Sequence, residues 1–158
     1  MDGARAALWG ESFAPPNPEA FTDPLIGEEA PAAQSEPLGG LLALLGGLYE
    51  EDVRACLARG TLAGYAAVLR DRYCYVPHDA VVPGALTAGD LDQVAAALAP
   101  RPLRLEGLVD GRNVRMRSEE SRERFAVARD AYLRTPGRFE INEQPTPDAP
   151  GWLVEALR

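Results

Sequence analysis

Four short apolar segments alternate with stretches of helical character, and this alternation constrains the fold of the 158-residue chain more than any other feature. The strand-like segments lie near Ala6–Trp9, over Asp52–Gly60, over Pro102–Val109 and over Phe139–Asn142. Between and after them come helical patterns over Leu38–Tyr49, Leu62–Leu69, Ala88–Leu98 and Ser118–Arg134, and a last one that starts at Asp148. Thr87 and Ser118 stand at capping positions, and Pro100 lies just past the end of its helix. Strands separated by helices pair in parallel through crossover connections. The order therefore predicts an α/β fold: a small parallel sheet of about four strands with helices on both faces.

Two segments carry unusual composition. Leu38–Tyr49 holds Gly39, Gly40, Gly46 and Gly47 in a run of leucines. Each glycine costs a helix roughly 1 kcal/mol of propensity. The two pairs also leave smooth faces on which the helix can lie very close to a sheet. Residues 14–37 read as a proline-rich loop insertion, with Pro15, Pro16, Pro18, Pro24, Pro31 and Pro37. A loop of that length is functional or poorly ordered. The length fits one domain over 1–158, or part of one.

Composition narrows the partners. The chain has 16 basic and 24 acidic residues and a net charge of −8, which argues against a phosphate backbone or an anionic membrane surface. Leu38–Tyr49 is too short to span a bilayer. Cys56 and Cys74 are the only cysteines. They make neither a disulfide framework nor a zinc site and read as two thiols in a reducing compartment. The first residues lack the order of a signal peptide, so the expected location is the cytoplasm, unless a leader lies upstream of Met1. No metal or organic cofactor is indicated, since the glycine pairs lack the lysine or spacing of a phosphate loop.

One segment carries a chemical pattern. Gly10-Glu11-Ser12-Phe13-Ala14 follows the first strand, and Gly-x-Ser-x-Ala after a strand is the pattern of a nucleophile elbow. A serine needs a base to act near neutral pH, and the chain's one histidine is His78, in Tyr75-Val76-Pro77-His78-Asp79. Glu11 beside Ser12 and Glu106 within its strand invite a carboxylate-pair reading, but successive strand residues point to opposite faces and nothing in the sequence brings these two together. The alternating charges after Arg112 read as a solvated helix face.

The segment Leu91–Asp110, with Ala99-Pro100-Arg101-Pro102 ahead of a strand that ends near Asp110, resembles the late part of α/β-hydrolases of the acetyl xylan esterase and dienelactone hydrolase type. The resemblance implies the C-terminal half of that fold, with Ser12 as nucleophile, Asp110 as triad acid and the Phe13 amide as an oxyanion donor. His78 is the available base, and Tyr75 is placed at the pocket wall. In such a half-fold the first strand has a neighbour on one side only, which invites self-association along its edge. The family's histidine belongs in the loop after the last strand, which here reads Glu143-Gln144-Pro145-Thr146-Pro147-Asp148. Two functions follow. One is a serine hydrolase of the carboxylic-ester type with an incomplete triad, acting on a small ester. The other is a non-catalytic structural or interaction module derived from a hydrolase scaffold.

Overall fold

The computed structural model describes residues 6–19, 34–70 and 72–158. Most of the proline-rich segment, residues 20–33, lies outside the described residues. The strands are β1 (Ala6–Glu11), β2 (Val53–Arg59), β3 (Leu103–Glu106) and β4 (Phe139–Asn142). They form one sheet in the order β1-β2-β3-β4, parallel at every pairing. This is the expected α/β architecture, and its general shape is hydrolase-like. The helices are α1 (Leu38–Tyr49), α2 (Tyr65–Val68), α3 (Ala85–Ala88), α4 (Leu91–Ala97), α5 (Ser118–Arg124), α6 (Ala126–Arg134) and α7 (Ala149–Ala156).

Strand alternation sorts side chains between the two faces. Cys56, Ala58, Leu103 and Leu105 point to one face, where Leu44, Leu98, Phe125, Ala128 and Tyr132 cover them. Leu57 points to the other, under Ala149 and Trp152 of α7. Helices thus lie on both faces.

The glycine pairs of α1 explain its seat. Gly39 and Gly46 face β1: a methyl on them would come within 2.5 Å of the Glu11 carbonyl oxygen and 2.7 Å of Leu8 Cδ1. Gly40 and Gly47 face the neighbouring strand's side, against Thr61 and the Cys56 thiol. The helix axis therefore straddles β1 and β2, closer than side chains would allow. Burial of Leu44 against the sheet and of Leu41 against Leu62, Tyr65 and Leu91 offsets the poor helix propensity, each contributing roughly 1.5–3 kcal/mol.

Four local expectations change. Ser118 is the first residue of α5 and not its cap, which falls on Arg117. Thr87 does not cap the third predicted helix: its hydroxyl donates to the Gly84 carbonyl, and Asp90 caps α4 in a reciprocal box with Gln93. The Asp-x-x-Gln spacing is a legible capping signature. The helix expected over Ser118–Arg134 breaks at Phe125, whose φ of −99° and ψ of 27° leave the helical region. That break lets the Phe125 ring enter the core. Asp148 occupies the cap position of α7 without a side-chain cap bond; its carboxylate accepts from Arg104 Nη2 at 3.1 Å instead.

Candidate functional site

In a parallel sheet every strand ends on the same rim, where α/β proteins gather their ligands. Glu11, Arg59, Glu106 and Asn142 end the four strands and stand in register across them. Their side chains share one face with Arg104, two residues before Glu106. Glu106 is fully buried. Its Oε2 accepts from Arg59 Nε at 2.8 Å, its Oε1 pairs with Arg104 Nε at 3.1 Å, and Thr146 Oγ1 donates to Oε1 at 2.5 Å. Arg59 reaches on to Glu11 at 3.5 Å, and Arg104 to Glu140 at 3.3 Å. The register thus brings Glu11 and Glu106 to one guanidinium, so they are ion-paired groups and not a free acid–base couple.

Ser12 follows β1 on this rim. Its N–H donates to the Arg59 carbonyl at 3.0 Å, and its hydroxyl accepts from the Ala14 N–H at 3.3 Å. Gly60, at φ +65°, lies close beneath its Cβ. A nucleophile elbow holds its serine on a strained turn that enters a helix at once. Among the described residues Asn113 is the only non-glycine with a positive φ, and α1 begins only at Leu38.

Asp110 lies past β3, in a turn beside the serine's segment. Asn17 N–H donates to the Asn113 carbonyl at 2.7 Å, Asn17 Nδ2 to the Arg112 carbonyl at 2.8 Å, and Asn113 Nδ2 to the Pro15 carbonyl at 2.9 Å. These bonds lock the chain after Ser12 onto the Asp110 turn. The Asp110 carboxylate closes that turn itself: Oδ1 accepts from Arg112 N–H at 2.9 Å and Val114 N–H at 2.8 Å, and Oδ2 lies 3.6 Å from Arg112 Nε. Tyr75 N–H donates to the Gly111 carbonyl at 2.8 Å, which puts Tyr75 against the same turn. His78 is exposed and opens a single turn of 3-10 helix, His78–Ala80, that buries Ala80. Among the described residues no hydrogen bond or ion pair joins it to Ser12 or Asp110. The Phe13 ring is exposed and borders a groove with Trp9 and Leu42, not the Asp110 cleft.

Glu143 occupies the loop where the resemblance places a histidine. Its Oε2 accepts from Ser118 Oγ at 2.7 Å and Ser118 N–H at 2.9 Å. The Ser118 hydroxyl and amide hold the Glu143 carboxyl below its ordinary pKa, as suits an anion at the start of α5.

A cleft of about 700 Å³ opens beside Asp110. Arg70, Arg112, Arg115, Arg117 and Arg124 line it with an equal number of carboxylates. Asp90, itself buried, ion-pairs with Arg124 of the lining. Burial raises the pKa of Asp90, but N–H groups of Ala66, Leu91 and Tyr65 and the Arg124 guanidinium together outweigh that and hold it low. Asp92, also buried, has one oxygen without a partner among the described residues. No cluster of three potential metal ligands occurs among the described residues, and no described helix is long and apolar enough to cross a membrane.

No family model, curated protein or solved structure matches this chain. The family resemblance therefore rests on the residues that carry it.

The Arg59–Glu106–Arg104 network was the part sequence reasoning missed. Arg104 and Glu106 at alternate positions of an apolar strand were its one visible trace, since such residues share a face.

Proposed function

We propose that this chain is a hydrolase-like α/β scaffold that works by binding rather than by cleaving esters. The observation that carries this is the Asp110 carboxylate, whose Oδ1 accepts from both the Arg112 and Val114 amides while Oδ2 ion-pairs with the Arg112 guanidinium at 3.6 Å. A triad acid must instead orient an imidazole. The neighbouring groups support the same reading. The Ser12 hydroxyl accepts from the Ala14 N–H, and Glu143 is held by Ser118 at the start of α5.

A second reading has one specific observation in its favour. The Asn17–Asn113 interlock brings the serine's segment to the Asp110 turn. In that reading Ser12 attacks a small carboxylic ester, Phe13 N–H stabilises the oxyanion, Asp110 is the acid and His78 swings in as base beside Tyr75. Hydrolysis of p-nitrophenyl acetate by the wild type and by Ser12→Ala separates the two. Equal rates support the binding scaffold. A rate that falls tenfold or more in the variant establishes the esterase.

A further inference from the structure

The outer border of the sheet is built to be covered. Ala6 N–H donates to the Asp52 carbonyl and Ser12 N–H to the Arg59 carbonyl. The even residues of β1 therefore face β2, and the backbone of Ala7, Trp9 and Glu11 faces outward. Among the described residues no strand pairs with that side. Bare edges of this kind pair with other chains unless something blunts them, and this one carries neither proline nor lysine.

The helix above it presents a matching surface. Leu38, Leu42, Leu45 and Tyr49 recur at the spacing of a coiled-coil seam on one face of α1. On α1 Leu38 is 43% exposed, Leu42 59% and Tyr49 77%, with Phe13 at 88%; Trp9, 41% exposed, stands on the sheet's other face in the row of Leu57, with the Arg59 guanidinium over its ring. Trp9, Phe13 and Leu42 border one groove.

We propose that this border pairs with a second copy of the chain about a two-fold axis through Trp9. The inference deepens the binding reading by naming a partner. Three independent features share the same axis. First, antiparallel pairing centred on Trp9 sets Ala7 opposite Glu11 of the other copy, so every outward N–H and C=O of β1 finds a partner. It also keeps the two Glu11 carboxylates from facing each other, which would be destabilising.

Second, the stripe on α1 is symmetric about the same level. Gly10 packs against Gly39 and Ala43, and Leu8 against Gly46, so Trp9 lies level with the middle of the helix. The axis then sets Leu42 against Leu45 of the other copy, and Leu38 against Tyr49. Third, the helix spacing fits. Strands lie roughly 4.8 Å apart, and α1 straddles β1 and β2. The two α1 axes would stand roughly 10 Å apart, at the upper end of the range for packed helices.

The area is adequate. At roughly 200 Å² for an aromatic side chain and a little less for leucine, the exposed fractions of these five residues set an upper bound of roughly 600 Å² of apolar surface per copy. A standard interface buries about 800 Å² per partner, and the paired strand backbones add to the side-chain total. The net charge of −8 on each copy opposes association, so added salt strengthens it.

The test uses the whole chain. Light scattering on a sizing column, at several protein and salt concentrations, should give a mass that rises with concentration to twice 17.0 kDa. Leu42→Glu should raise the dissociation constant tenfold or more. Ala7→Pro removes an outward donor without touching the β2 ladder and should do the same. The register has its own readout in a Cys74→Ser background. Opposed hydrogen-bonded residues of antiparallel strands have Cα atoms roughly 5.5 Å apart, within disulfide reach. Trp9→Cys should therefore cross-link to itself on oxidation, and Glu11→Cys should not. A mass of one chain at every concentration overturns the proposal. So does a dimer that ignores both surface variants and cross-links at Glu11→Cys instead. Either result leaves the binding reading to be judged by its serine test.

Discussion

Gly10→Ala probes the contact on which the fold's first crossover rests. A methyl on Gly10 would fall inside the contact radius of the Gly39 carbonyl oxygen and 2.9 Å from Ala43 Cβ. The obstacle is helix backbone, which has no rotamer to change, so α1 must lift from β1. Overpacking of this kind costs about 1–3 kcal/mol, and a clash with backbone belongs at the upper end. Replacing a strand glycine returns roughly 0.5–1 kcal/mol. The net loss is therefore about 2 kcal/mol, or roughly 4–8 °C in Tm for a domain of this size. Gly151→Ala is the control: a methyl there meets nothing within 4 Å in α7, and helix propensity should stabilise the protein by up to about 1 kcal/mol. Thermal and urea unfolding followed by circular dichroism measures both. A Gly10→Ala protein as stable as the wild type would refute the close seating of α1.

Three further outcomes follow from buried groups. Glu106→Gln leaves Arg59 and Arg104 without their shared buried carboxylate and should cost about 3–5 kcal/mol in urea unfolding; a loss below about 1 kcal/mol would contradict the network. Asp90 titrates below its unfolded value, first against burial and then through the amides and guanidinium that overcome it. Its stabilisation is therefore complete above about pH 4 and is lost as pH falls through the lower folded pKa; Tm against pH should flatten on the acid side in Asp90→Asn. Burial pushes the Cys56 thiol up to about 11, whereas Cys74 is exposed. Ellman's reagent at about pH 8 should accordingly modify one thiol in the native protein and both after denaturation.

The architecture was legible because strand and helix periods alternate without a break, and crossover topology leaves few ways to join them. The seat of α1 was legible for a related reason: Gly39, Gly40, Gly46 and Gly47 make sense in a leucine-rich helix only if something lies close beneath. The rim was not legible. Arg59 holds both Glu11 and Glu106 because the three residues stand in one cross-strand row, and register across strands is not written in any single segment. The break at Phe125 hid for a similar reason. Local helix signals run through it, and only the demand of the core for an aromatic ring bends the chain there. The resemblance set Ser12 and Asp110 on one rim, but the turn that holds Asp110 depends on amides two and four residues further on.

The reactivity of Ser12 is the most direct measure of whether this scaffold binds or cleaves. Incubation with a fluorophosphonate probe followed by intact-protein mass spectrometry reads it without a choice of substrate. The account predicts an unchanged mass, because the partner of the Ser12 hydroxyl among the described residues is the Ala14 amide, a donor and not a base. An adduct that appears in the wild type and vanishes in Ser12→Ala would contradict it.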